Sequence, residues 1–541
     1  MGSADESKPF ILSEPFLPPS SSAGDEASSA AAAAEEAEIF PPITYNHGYR
    51  PLRDLPFLVL FLALSLSTFV FGIIAVARRN PNRYNAASFV YDPPSSSCVP
   101  SSPQILLFGN QLSFSLSSLF LRDLIWTLVI TLLLAGPIAL ALLSLLRHFA
   151  KQVVYSAIPF FVLTPAFLNV YWFVACQLGA TCRESFPLAY RILVLVFVFL
   201  IIAIVLWIIV VNWHRIELTV QIVQIASAAL ADNIALLVLL PCLGFVLVVY
   251  FAPIVVFLVL STFNGRIVPK EGEGGWYYCK WNQDGWVPAY FALGIITMIW
   301  SLSAMVEAQA FVVSGTIAQW YFSMEGSKPG RSIRSSLRNA FGPSFGTVCF
   351  SGIMICAIRI VRAVIDSAKR DDRVAGFVNI LLRCCANFLL SAFDFVNKFT
   401  INFAAITGES YCSAAKMSYE LLRRNLLSAV FVETVSTRTL YGISFVISAF
   451  YAIAVCAILK AVSDLELKTY FIVVLAWLLL MVLLGYFVHI LDNVIDTVYI
   501  CYAIDRDKGE VCKHEVHEIY VLLPVCRNHR PSLDNRTSPI V

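Results

Sequence analysis

The chain has 541 residues, of which 58% are hydrophobic and 14% charged, and its formal net charge is +2. Soluble proteins carry about 25% charged residues, so this composition excludes an ordinary soluble protein, and the near-neutral charge gives no support for a nucleic-acid partner. Apolar runs of about 20 residues or more recur along the chain, long enough to cross a bilayer as helices. We therefore predict an all-α, polytopic transmembrane helix bundle that sits in the lipid bilayer.

The predicted organisation has three parts. Residues 1–49 form a polar tail that lacks the basic and apolar regions of a signal peptide, and we expect it to be disordered and cytosolic. Residues 50–505 form the transmembrane domain, and residues 506–541 form a polar, cytosolic C-terminal tail. The domain contains about ten predicted spans, at residues 55–77, 124–146, 153–178, 192–211, 234–260, 288–313, 345–364, 378–406, 440–461 and 470–501.

An even number of spans places both termini on one side of the membrane. The densest basic loop follows the sixth span and favours the cytosol for that side; it contains Lys328, Arg331, Arg334 and Arg338. Charge bias alone leaves the orientation open, because Arg78, Arg79 and Arg83 form a cluster on the opposite side. With cytosolic termini, the loop at residues 78–122 is external.

Three cysteines, Cys98, Cys182 and Cys279, fall in loops predicted to be external, where disulfides persist. We predict that two of the three pair, and Cys98–Cys279 is slightly favoured. Spacing alone does not determine the connectivity.

The sixth predicted span contains the most informative polar side chains. A carboxylate such as Glu307 near the centre of a membrane helix costs roughly 2.5–3.5 kcal/mol, so it should face protein or a water-filled cavity. Trp300 lies two helical turns earlier on the same face, and an aromatic face beside a carboxylate suits a small organic cation. We predict that Trp300, Glu307 and Gln309 bind such a substrate. The structural alternatives are core packing for Trp300 and a bond from Glu307 to a neighbouring helix, with Lys398 as the first candidate partner.

Two other spans contain charged side chains that are candidates for gating or intramembrane polar contacts. Asp394 and Lys398 lie four residues apart on one helical face and could pair with each other. His489, Asp492 and Asp496 share a face of the last span, a pattern that suits a divalent metal. The alternative is a helix end whose carboxylates are solvated among the lipid headgroups.

We predict no catalytic residue, no metal and no cofactor. The chain lacks a P-loop and an H-E-x-x-H pattern.

Four stretches in the second half of the chain resemble signatures of the choline transporter-like family. They are SGTIAQWYF at Ser314, GTVCFSG at Gly346, TGESYCSAAK at Thr407 with LLRRN at Leu421, and NVIDTVYICYAID at Asn493. The second is also a run of small residues, which lets neighbouring membrane helices approach closely. In the third, residues 408–437 are expected to form an amphipathic segment along the cytosolic face.

This resemblance implies a facilitative carrier for choline or a related amine, in the plasma membrane rather than internal membranes. Two other classes of protein remain open. One is an ion or solute channel, and the other is a non-transporting membrane scaffold involved in lipid or membrane homeostasis. The oligomeric state is not indicated.

Overall fold

The computed structural model describes residues 45, 50–83, 89–100, 118–178, 182, 186–211, 213–272, 275–323, 332–367, 377–462, 466–509 and 511–521. Almost all of the predicted N-terminal tail lies outside these residues, as do parts of the predicted external loop, Lys328 and Arg331 of the basic loop, and residues 522–541.

Long apolar helices make up most of the described chain, which confirms the predicted all-α membrane fold. In chain order they are α1 (Leu55–Ala77), α2 (Ser118–Leu178), α3 (Leu188–Val211), α4 (Trp213–Asp232), α5 (Ala235–Ser261), α6 (Val287–Tyr321), α7 (Ser332–Ala340), α8 (Phe345–Ser367), α9 (Phe377–Thr407), α10 (Tyr411–Val462), α11 (Glu466–Lys508) and α12 (His514–Tyr520).

Eight of the described helices are long and apolar enough to cross a membrane. The predicted second and third spans both lie in α2, which consists of two helices that meet at a kink where Phe149 leaves helical geometry (φ −131°, ψ 30°). The predicted eighth span is α9, which is not among these eight helices. The predicted amphipathic segment continues without interruption into the ninth span, since both lie in α10.

Two short β-hairpins interrupt the helical fold at positions where the sequence predicts only loops. Strands β1 (Phe89–Asp92) and β2 (Ser97–Pro100) pair antiparallel, and so do β3 (Gly265–Glu271) and β4 (Tyr277–Gln283). A disulfide joins Cys98 of β2 to Cys279 of β4, the pair that the sequence favours, and Tyr91 stacks on Tyr277 with their ring centroids 4.9 Å apart. Cys182 bonds Cys176, which lies within the predicted third span.

Peptide mapping under non-reducing conditions is expected to recover both of these disulfides. Cys98→Ser should leave Cys279 reactive toward a membrane-impermeant maleimide while the Cys176–Cys182 bond remains. Cys182→Ser is the matched control and should leave Cys98–Cys279 intact. Free thiols at both Cys98 and Cys279 in the unmodified protein would contradict the pairing.

The two sides of the small-residue run contact different parts of the fold. A Cβ added at Gly352 would lie 2.8 Å from the backbone nitrogen of Ala304 in α6, so the two helices touch there backbone to backbone. At Gly346 a Cβ would lie 2.4 Å from the carbonyl oxygen of Arg53, at the start of α1. The small-residue run therefore packs α8 against α6 and against the residues that directly precede α1.

The signature at Thr407 begins with the turn that ends α9. Gly408 has φ +76°, a left-handed conformation that favours glycine, and its N–H donates to the Ala404 carbonyl at 2.9 Å. The Arg50 guanidinium donates to the Ala405 carbonyl at 2.8 Å and leaves no room for a side chain at Gly408. Burial lowers the pKa of Arg50 from its ordinary value, and the nearby Tyr45 opposes this effect. The glycine is needed for both the turn and the contact.

The packed part of the fold extends beyond residue 505, where the sequence analysis places the start of a polar tail. Helix α11 continues to Lys508, and in α12 the side chains of Val516 and Tyr520 are buried. The buried Asp505 carboxylate accepts a hydrogen bond from the Cys512 backbone N–H at 3.1 Å and lies 3.5 Å from His517. Asp505, the last residue of the fourth signature, thus holds residues 511–521 against the helices.

Candidate functional site

Helix α6 is the most extensively buried helix in the described part of the chain, and its polar side chains contact several neighbours. Glu307 is 5% exposed, and its carboxylate accepts a hydrogen bond of 2.6 Å from the Ser351 hydroxyl of α8. The structure therefore gives this carboxylate a protein partner, as the cost of burying it requires. That partner is Ser351 and not Lys398, the first candidate of the sequence analysis.

A chain of hydrogen bonds runs on from Glu307 through three further helices. The Asn397 amide of α9 donates to the Ser351 hydroxyl at 3.1 Å, and the Tyr411 hydroxyl at the start of α10 donates to the Asn397 carbonyl oxygen. This arrangement is not visible in the sequence. There Ser351 is one of several small packing residues and Tyr411 is part of a signature, and only the polarity of Asn397 inside a span signals its involvement.

Trp300 lies in the helix core in this conformation and does not line an open cavity. The ring is 5% exposed, its N–H donates to the Cys349 carbonyl at 3.0 Å, and its edge packs on Phe61 with the centroids 5.3 Å apart. This is the packing alternative of the sequence analysis. A substrate would reach the indole face only if α1 or α8 moved away from α6.

Gln309 connects α6 to the opposite side of the bundle. Its amide nitrogen donates to the Leu240 carbonyl of α5 at 3.1 Å, and its amide oxygen accepts a hydrogen bond from the Tyr486 hydroxyl of α11 at 3.2 Å. Glu307 and Gln309 therefore belong to two different polar contacts.

The predicted ion pair between Asp394 and Lys398 is wrong. Lys398 instead lies between two carboxylates of α11, with Nζ 2.6 Å from an oxygen of Asp492 and 2.6 Å from an oxygen of Asp496. Asp394 pairs with Arg362 of α8 at 2.8 Å in a more exposed position. The buried carboxylates need a counter-charge more than the half-exposed Asp394 does, and they therefore attract the lysine inward.

The carboxylates of Asp492 and Asp496 are not solvated at a helix end, contrary to one sequence-based alternative. They are 6% and 1% exposed, and Asp492 also accepts a hydrogen bond from the Thr437 hydroxyl of α10. The space between the two carboxylates, where the other alternative placed a metal, holds the Lys398 ammonium. We call the three described residues Lys398, Asp492 and Asp496 the buried ion cluster.

Residues of two separate signatures meet beside this cluster. The Ser314 hydroxyl of α6 donates to the side-chain carbonyl of Asn402 in α9 at 2.8 Å, and the Thr497 hydroxyl of α11 lies 3.0 Å from Ser314. All three side chains are buried. Polar side chains of α6, α9 and α11 thus face one another within the bundle.

The comparisons with known proteins agree with the resemblance of the four signatures. A family model described as "Plasma-membrane choline transporter" matches residues 196–507, more than half of the chain. "Choline transporter-like protein 3" of Bos taurus is 25% identical over 469 residues, which cover 77% of this chain and 67% of that protein.

Two further relatives match over shorter stretches. "Choline transporter-like protein 3" of Homo sapiens is 24% identical over 327 residues, or 57% of this chain and 48% of its own length. "Choline transporter-like 2" of Anopheles gambiae is 24% identical over 260 residues, or 46% of this chain and 32% of its own length. The chain thus spans between about a third and two thirds of these relatives. With the family model covering most of the bundle, including α6 and α11, this multi-pass membrane protein belongs to the plasma-membrane choline transporter family.

Proposed function

We propose that the protein is a facilitative carrier that moves choline or a related organic cation across the plasma membrane. The observation that carries the proposal is the buried carboxylate of Glu307 in the middle of α6, which accepts a hydrogen bond from the neutral Ser351 hydroxyl. A buried negative charge favours entry of a cation and disfavours entry of an anion.

The driving force for such a carrier needs no cofactor. One positive charge that crosses 100 mV gains about 2.3 kcal/mol, which is enough for accumulation from outside. A quaternary ammonium loses its hydration on entry, and carboxylates together with aromatic faces replace it. We assign Glu307 and Gln309 to the binding site in this conformation, and Trp300 to it once its contacts with Phe61 and Cys349 open.

The proposed orientation rests on the basic loop that follows α6 together with the family to which the chain belongs. Arg334 and Arg338 lie on α7, which follows the end of α6. We assign this end of the bundle, and with it both chain termini, to the cytosol. The two hairpins and their disulfide then lie outside, in an oxidising compartment.

Uptake of labelled choline into proteoliposomes that contain the purified protein tests the proposal. A carrier gives saturable uptake that increases with an inside-negative potential. Non-saturating ionic current would indicate a channel instead, and neither uptake nor current would indicate a scaffold.

Glu307→Gln is expected to reduce choline uptake roughly tenfold, the effect of losing one charge-assisted contact of about 1.5 kcal/mol. The amide keeps the shape and still accepts from Ser351, so folding and insertion should be unaffected. Glu409→Gln is the matched control, because its carboxylate is 40% exposed and pairs with Arg53 at 3.4 Å. Unchanged uptake in Glu307→Gln at equal protein levels would make the carboxylate structural.

A further inference from the structure

A polar cavity lies at the end of α6, away from the residues assigned to transport. It is a half-open cleft of about 590 Å³, within the range of small-molecule sites. Helices α4 and α6, the middle of α2 and the segment around α12 enclose it. The side chains that matter here are Arg147, Asp232, Trp320, Lys513, Glu515 and Glu518.

One wall of the cleft already holds an ammonium group against an aromatic face. Lys513 Nζ lies 5.4 Å from the centroid of the Trp320 ring, within the range of a cation–π contact. The indole N–H donates to the Asp232 carboxylate at 3.2 Å, so a negative charge lies at the edge of the same ring. An aromatic face beside a carboxylate is the chemistry that recognises a quaternary ammonium.

Contacts of the neighbouring residues fix the position of the Lys513 backbone. The N–H of the preceding residue, Cys512, is bonded to the buried Asp505, and Val516 and Tyr520 anchor α12. Lys513 directly precedes α12, so this anchoring fixes its backbone beside Trp320.

The charges of the cleft also favour a cation over an anion. Asp232, Glu515 and Glu518 contribute three carboxylates, against Arg147 and Lys513. Arg147 is already paired with Asp232 at 3.6 Å. When the Lys513 ammonium leaves the Trp320 ring, the cleft retains more carboxylates than cations, and another cation can take its place.

We propose that this cleft is a second cation site, where the quaternary ammonium of the substrate binds Trp320 in competition with the tethered ammonium of Lys513. The identity of the ligand as substrate rests on the proposed function. On the assigned orientation the cleft opens to the cytosol. The segment 511–521 then acts as a built-in competitor that releases the substrate from the cytosolic end of the bundle.

The test measures equilibrium binding of tetramethylammonium to the purified full-length protein. Lys513→Ala is expected to increase the affinity for tetramethylammonium about twofold to fivefold, because one exposed cation–π contact no longer competes with the ligand. Trp320→Leu and Asp232→Asn should each abolish that gain when combined with Lys513→Ala. Lys508→Ala, an exposed lysine at the end of α11, is the control and should change nothing.

The same measurements in a Glu307→Gln background separate this site from the central one. In the Glu307→Gln background, Lys513→Ala should still increase the affinity for tetramethylammonium, because Glu307 does not line the cleft. Equal affinity in Lys513→Ala and unmodified protein, or a gain that survives Asp232→Asn, would overturn the inference. Absence of choline uptake together with an intact gain would overturn the proposed function alone.

Discussion

Lys398→Met is expected to destabilise the folded protein by roughly 3–5 kcal/mol, the usual cost of removing one partner from a buried ion pair. The substitution preserves an apolar stem of similar length and removes the ammonium that lies 2.6 Å from both Asp492 and Asp496. The two carboxylates are at most 8% exposed and would lose the ammonium that lies between them. The midpoint of thermal unfolding in detergent should fall markedly, with less monodisperse protein recovered.

A triple variant shows whether charge is the cause. Lys398→Met combined with Asp492→Asn and Asp496→Asn should recover most of the lost stability, because neutral amides need no buried counter-charge. Lys416→Met is the matched control, since that lysine is 80% exposed, lies 3.9 Å from Glu420 and should contribute less than about 1 kcal/mol. A single variant as stable as the control would show that the buried ion cluster does not hold α9 to α11.

Gly346→Ala and Gly352→Ala are expected to destabilise the protein by roughly 1–3 kcal/mol each, the cost of overpacking a filled interior. At both positions the added methyl would meet backbone atoms, which cannot move aside as a side-chain end can. Gly244→Ala is the matched control, because it also lies in a membrane helix and its added Cβ would meet no atom within 4 Å.

The sign of the effect distinguishes packing from helix propensity. Alanine is favoured over glycine within a helix by about 1 kcal/mol, so the control should be neutral or slightly stabilised. Unfolding midpoints in detergent should therefore fall for Gly346→Ala and Gly352→Ala and stay level or rise for Gly244→Ala. The same upward shift in all three would show that the small residues are not needed for the close approach of α8.

The sequence predicts a membrane-spanning helix well where the apolar composition of the segment is enough to identify it. Residues 192–211 are almost continuously apolar, and α3 begins only four residues earlier, at Leu188. The same rule misses the hairpins, because strands of four and seven residues in polar loops carry no long periodic signal. It also misses α12, because the anchoring contacts come from Asp505 and not from the composition of the segment.

The candidate site is predicted less completely because its partners are distant in the sequence. The cost of a buried carboxylate identifies Glu307 as a residue that needs a partner, but the identity of Ser351 depends on how α6 packs on α8. The prediction for Lys398 used only its near neighbour on the helix. Asp492 lies 94 positions away, and burial of that carboxylate was not visible in the sequence.

The bond between Cys98 and Cys279 has a practical consequence for experiments on this chain. The two cysteines are 181 positions apart, and the part of the chain between them includes α2, α3, α4 and α5. A single proteolytic cut anywhere in that interval leaves both fragments covalently joined, so they migrate together on a gel until a reductant is added. A nicked protein and an intact one have nearly the same mass without reduction, and cleavage sites between these cysteines become visible only in reduced samples.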